Sequence, residues 1–242
     1  MNAVAITNIG RDGVFRYCRR SVEPYCKRHG IALELITSPR YAMTGTDGYN
    51  YLSFEKNQIA RLFDTYDRIV RLDADVIVTS QCPDLLALVP EDKIGAVYED
   101  TGPKRQARRQ LVLDAQKELG ELGWREGYFN GGVVVVSRRH RELFTISDRD
   151  RESIPRWRHI RRSKEQTLLN HRVRAMGFAV HELDFKFNHM SFFSERWNGS
   201  PSIRDSYIIH FAGKQRFKAL NAGWTWHRLE GPFRKVLGGL MR

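Results

Sequence analysis

Between Arg68 and Val78 the chain reads Arg-Ile-Val-Arg-Leu-Asp-Ala-Asp-Val-Ile-Val, an apolar, β-branched run interrupted by two carboxylates one residue apart. Such a run is a buried strand. In extended backbone, positions i and i+2 share a face, so Asp73 and Asp75 are expected to aim at one point, with the small Ala74 leaving room for a ligand. Two carboxylates held together in apolar surroundings are costly, and a divalent cation taking hard oxygen ligands removes that cost. The competing reading is a strand that has simply ended, with both aspartates solvated in a turn.

The chain has 242 residues, 41% hydrophobic and 28% charged, enough for one large core. Its formal net charge of +12 suggests an anionic partner: nucleotide, phosphate, anionic lipid or nucleic acid. The opening Ala3-Val4-Ala5-Ile6 is too short for a signal peptide and lacks a basic leader, and no apolar run is long enough to span a bilayer. The expected location is the cytoplasm. Cys18, Cys26 and Cys82 are odd in number and lack metal-site spacing, so neither a disulfide framework nor a zinc site is expected. Cys18 and Cys26 read as small apolar residues of a helix.

Alternation of elements predicts an α/β fold. Residues 3–8 read as a strand, 14–29 as a helix interrupted by Pro24 and closed by Gly30, and 32–36 as a second strand. This β-α-β opening implies a parallel sheet. A turn-rich segment, 37–50, precedes a helix over 54–66, which feeds the strand of the two aspartates. Further strands are expected at 93–98, 132–136, 178–183 and 207–211, with helices over 104–122 and from Ser163, in capping-box spacing with Gln166, to Met176. The Arg-dense residues 146–164 show little apolar periodicity and read as a loop or lid. Ligands of such sheets bind beyond the carboxyl ends of the strands, where Asp73 and Asp75 fall.

Three other segments carry candidate chemistry. Tyr128-Phe129-Asn130-Gly131-Gly132 offers an amide and close backbone approach, against the plainer reading of a turn. Glu165-Gln166-Thr167-Leu168-Leu169-Asn170 puts a carboxylate and amides at a helix start, against that of a charged first turn. Ile208-Ile209-His210-Phe211-Ala212-Gly213-Lys214-Gln215-Arg216 ends a strand with an imidazole followed by a glycine turn and basic residues, against that of a structural histidine.

Taken in order, from Ile6-Thr7-Asn8 to Arg216, these segments resemble the family 8 glycosyltransferases. The resemblance implies the Rossmann-like GT-A nucleotide-diphospho-sugar transferase fold, with a mostly parallel central sheet flanked by helices. It makes Asp73, Asp75 and His210 the metal ligands. Mixed carboxylate and imidazole ligation suits manganese, with magnesium the alternate ion. It puts Thr7 and Asn8 in the nucleoside pocket, Lys56 near the sugar or diphosphate, the backbone of Ala74 against ribose or uracil, and Asn130 and Gly131 on the donor sugar. Gly213, Lys214 and Arg216 complete the donor set. The chain departs from the family pattern in three places. Gly131 stands where the family has Ser or Ala, Glu165-Gln166 replaces an Asp-Gln pair, and Arg216 replaces a lysine without the Pro-Trp that follows it; arginine can still clamp a diphosphate.

The implied activity is retaining transfer of galactose or glucose from a UDP-sugar to a carbohydrate acceptor, which a lipid-linked acceptor would also satisfy. Gln166 and Glu165 are the expected catalytic residues. An amide is a poor nucleophile, so front-face attack assisted by the leaving phosphate is favoured, with both residues orienting the sugar. Residues 1–220 form the expected catalytic domain. The basic and aromatic residues 221–242 form an extension suited either to packing on the core or to peripheral contact with the cytoplasmic face of a membrane or with the acceptor.

Two alternatives use the same features. An aspartyl-nucleophile phosphatase would phosphorylate Asp73, but that family puts its motif on the first strand, and Glu99-Asp100 follows too soon for its acidic pair. A nucleic-acid binder rests on charge alone, and the basic residues are dispersed without a recognised motif, so no nucleic-acid partner is expected.

Overall fold

The structure is a computed structural model, which describes residues 1–10, 12–44, 51–160 and 163–212. In chain order its strands are β1 (Asn2–Thr7), β2 (Ala32–Ile36), β3 (Arg68–Asp73), β4 (Val76–Val78), β5 (Ile94–Tyr98), β6 (Phe129–Ser137), β7 (Val180–Glu182) and β8 (Ile208–His210). The α-helices are α1 (Asp12–His29), α2 (Ile59–Leu62), α3 (Leu85–Leu88), α4 (Arg105–Leu119), α5 (Asp148–Ser153) and α6 (Lys164–Ala175). A six-stranded sheet in the order β2-β1-β3-β6-β5-β7 is accompanied by a two-stranded sheet of β4 and β8. Three of the pairings in the large sheet are parallel, β1 with β2, β1 with β3, and β5 with β7. Strand β6 runs antiparallel to both β3 and β5.

That reversal builds the site. Because β6 points the other way, its N-terminal Phe129 and Asn130 lie with the C-terminal ends of β1, β3 and β5. The strand stops at the aspartates as expected, but the backbone from Asp73 to Asp75 is not extended. Asp73 ends β3, Ala74 and Asp75 turn, and Val76 leaves the large sheet to pair with His210. Asp73 and Asp75 therefore converge through a turn and not along one strand. The long-range pairing with β8 redirects the chain.

Several expectations of local structure are corrected. Helix α1 continues through Pro24, because Pro24 and Arg20, whose carbonyl it would bond, are both exposed residues where solvent can meet the unpaired carbonyl. The helix expected over 54–66 divides into a 3-10 stretch, Leu52–Gln58, and α2. Within that stretch the Asn57 amide donates to the Phe54 carbonyl, a local alternative to the helical ladder. Ser163 does not cap α6. It takes a left-handed conformation without a side-chain cap bond, while Gln166 is occupied elsewhere. The segment read as a loop or lid contains α5, capped by Ser147 and Asp150, and buries Ile154, Trp157 and Ile160 against Tyr51, Phe54 and Trp124. Three apolar anchors outweigh its dense charge.

The core lies on both faces of the sheet. Val4, Ile6, Val70 and Leu72 pack with Cys18, Val22, Tyr25 and Cys26 of α1. Ala5, Ile69, Val134 and Val136 pack with Ile59, Phe63, Leu169 and Val173. Alternate residues of one strand thus enter opposite layers. Among the described residues no helix is long and apolar enough to cross a membrane.

Candidate active site

Asp73, Asp75 and His210 offer ligand atoms that all lie within 4.8 Å of one another. His210 Nε2 is 3.3 Å from Asp75 Oδ1 and 3.7 Å from Asp73 Oδ2. Thr7 is the register partner of Asp73 on β1, and Lys56 Nζ approaches Asp73 Oδ1 at 2.5 Å. Burial alone would push the His210 pKa down, but its hydrogen bond to Asp75 and the charges of Asp75 and Asp73 lift it above the ordinary histidine value. The imidazole thus stands in a field built for positive charge. Two carboxylates and one imidazole suit a divalent cation, and the His210 Nδ1 contact with Asn188 at 2.8 Å leaves Nε2 toward the carboxylates.

Beside β6, the amides of Asn130 and Gln166 meet one buried acid. Asn130 Nδ2 donates to Glu99 Oε2 at 2.8 Å and Gln166 Nε2 to the same oxygen at 3.0 Å, while Arg108 pairs with Glu99 Oε1. Gln166 Oε1 accepts the Gly131 N–H at 3.0 Å. Glu165 is only 4% exposed, and its Oε1 is 2.6 Å from Arg71, whose other arm donates to the Gly131 carbonyl. Glu165 therefore reaches the site through Arg71. The departure at Gly131 has a physical reason as well: a Cβ there would lie 2.9 Å from the Arg71 guanidinium, which is held on both sides.

The structure thus gathers Thr7, Asn8, Lys56, Asp73, Ala74, Asp75, Asn130, Gly131, Glu165, Gln166 and His210 around one end of the sheet. Asn8 Oδ1 is buried there without a hydrogen-bond partner among the described residues. Gly213, Lys214, Arg216, Arg161, Arg162 and the extension 221–242 lie outside the described residues.

Sequence reading missed Glu99, Arg108, Asn188 and Arg71 as site residues. Arg71 alone carried a signal, being a charge inside the apolar strand Ile69-Val70-Arg71-Leu72, where burial requires a partner. It also missed Glu55, which is buried and accepts the backbone N–H groups of Arg40, Tyr41 and Ala42, fixing the approach to Lys56.

The family model for glycosyl transferase family 8 matches residues 40–219. The chain belongs to glycosyl transferase family 8. Among solved structures it is similar to the galactosyltransferase LgtC in complex with donor and acceptor sugar analogs, at 17% identity and a TM-score of 0.57, covering 100% of this chain and 97% of that one. It is also similar to a glycosyltransferase involved in the glycosylation of the major capsid of PBCV-1, at 16% identity and a TM-score of 0.54, covering 91% of this chain and 98% of the other. No curated protein matches it in sequence. The family 8 chain is a glycosyltransferase with the GT-A fold, which settles the reaction class against the phosphatase and nucleic-acid readings.

Proposed function

We propose that this family 8 chain transfers galactose or glucose from a UDP-sugar to a carbohydrate acceptor with retention of anomeric configuration. The observation that carries the reading is the meeting of Asp73, Asp75 and His210 at the end of the sheet that also holds Asn130 and Gln166. Asp73, Asp75 and His210 would hold a divalent ion, manganese before magnesium, and the bound ion supplies neutralisation of the charge that grows on the departing diphosphate.

The remaining work falls to the protein. Asn8, with its open amide oxygen, and Thr7 receive the nucleoside, with the backbone of Ala74 beside it. Asn130 and Gly131 position the donor sugar. The Gln166 carbonyl is already engaged by Gly131 and its amide by Glu99, which suits it to hold the sugar and stabilise positive charge, not to attack. Glu165 orients the same wall through Arg71. The bond from anomeric carbon to diphosphate oxygen breaks as the acceptor hydroxyl adds on the same face, and the hydroxyl proton passes to the departing phosphate oxygen. Lys56, Gly213, Lys214 and Arg216 are assigned to the diphosphate. Residues 1–220 are proposed as the catalytic domain, in the cytoplasm, with 221–242 contacting acceptor or membrane surface.

Isothermal titration tests the reading. Tight binding of uridine diphosphate only with manganese, and none of guanosine diphosphate, is expected; absence of metal-dependent nucleotide binding overturns it.

A further inference from the structure

The side chains between His210 and Gln166 form a relay whose polarity two backbone amides dictate. A backbone N–H can only donate. Gly132 N donates to Asn130 Oδ1 at 2.7 Å, so that atom is the carbonyl oxygen and the opposite corner of Asn130 is its NH2, which meets Glu99. The same Asn130 oxygen receives a second bond, at 2.9 Å, from Asn188. An oxygen fixed as acceptor must be met by a donor, so the Asn188 NH2 lies there and its carbonyl oxygen faces His210 Nδ1. Nδ1 therefore carries the hydrogen, and the lone pair is on Nε2, the nitrogen turned to Asp73 and Asp75. By the same logic the Gly131 N–H fixes the Gln166 carbonyl and sends its NH2 to Glu99.

Sterics agree with the polarity. A Cβ on Gly132 would come within 2.3 Å of His210 Cε1 and 2.6 Å of Nδ1, so only glycine admits the ring at that position. Asn188 has no solvent exposure, and no water competes for its amide.

We propose that Asn188 is a positioning residue that, directed by the Gly132 N–H, fixes His210 as its Nδ1–H tautomer and presents Nε2 to the cation. The same relay makes the cation ligand and the sugar-contacting amides of Asn130 and Gln166 one unit anchored on Glu99. This role rests on the metal-dependent reading above, and the test separates the two.

In the metal-free wild-type protein, labelled with 15N at histidine and held at a pH where the ring carries one proton, the His210 resonances are expected to report Nδ1–H. Protonation at Nε2 overturns the proposal without reference to any ion. Manganese affinity is then measured by electron paramagnetic resonance in the wild type, Asn188→Leu and Asn188→Asp, with thermal melts to confirm folding. Removing a hydrogen-bonding support of a metal-ligating histidine costs about 10- to 100-fold in affinity, which is the loss expected for Leu. Asp keeps an oxygen for Nδ1 but gives up the donor to Asn130 Oδ1, so its loss is expected to fall between wild type and Leu; equal loss in both, or loss in neither, overturns the role. Should Leu fail to fold, the wild-type tautomer and the Asp variant decide. Absence of manganese binding in the wild type overturns the metal reading itself, and the tautomer still reports on Asn188.

Discussion

Two pairs of carboxylates lie near one end of the sheet, and their charges are handled differently. Glu99 and Glu165 are both buried, and each has its own guanidinium, Arg108 and Arg71. Asp73 and Asp75 are more exposed, gather around one histidine, and Asp73 has the amine of Lys56 beside it. An acid neutralised by an arginine built into the fold is part of the wall. The two aspartates, one of them beside Lys56, instead converge on an imidazole, a set a divalent cation could join.

The largest expected effect breaks the second pair. Asp75→Asn is expected to lower metal-dependent transfer by about a thousandfold, equivalent to roughly 4 kcal/mol of transition-state stabilisation, while the melting temperature shifts by only a few degrees. Retained turnover, or collapse of the fold, would erase the contrast. The first pair is expected to respond the other way. Arg71→Met leaves Glu165 charged and alone in the interior, and a denaturant titration should show a loss of about 3–5 kcal/mol. The double variant Arg71→Met with Glu165→Leu should recover a good part of it, and additive losses would deny the pairing.

Acid sharpens the comparison among histidines. Burial pushes His140 and His189 down to about 4, so the folded protein keeps them neutral while the unfolded chain protonates them near 6.5. Their contribution is complete above pH 6.5 and is lost as the pH falls toward 4. His210 is raised, so in the metal-free protein its contribution is complete below pH 6.5 and is lost as the pH rises through its folded value. Thermal melts without metal should fall in temperature from pH 6.5 to 4, and manganese affinity should climb as the pH rises above 6.5. A flat affinity profile would contradict the field assigned to the two aspartates. The smallest effect is expected on the surface, where Arg19 and Glu23 pair one helical turn apart, both about half exposed. Arg19→Ala should change stability by no more than about 0.5 kcal/mol in the same titration.

What was legible in the sequence was local. The alternation of β1, α1 and β2 is written in apolar spacing and in Gly30, which closes the helix with a φ of +64°. The grouping of Asp73, Asp75 and His210 was legible only through the resemblance, since the histidine on its own read as structural. Pairings across long separations were not. Nothing near Val76 announces that it joins His210, and nothing near Asn188 announces that it bonds Asn130. The antiparallel course of β6 was equally silent, since six glycines and valines in a row are buried on both faces whichever way the strand runs. The capping box failed for a related reason: Gln166 forms better bonds with distant Gly131 and Glu99 than with its own helix start.

The small β4–β8 sheet makes the meeting of Asp73, Asp75 and His210 a matter of chain connectivity. Asp73 and Asp75 stand at the turn that begins it, and His210 ends its other strand, so the three residues meet only when a segment from far along the chain has docked on Val76–Val78. An ion held by all three residues is a clasp across that long loop. Its binding energy adds to the docking of β8, in proportion to the logarithm of ion concentration over dissociation constant. Cation affinity thereby doubles as a gauge of whether the chain has closed on itself.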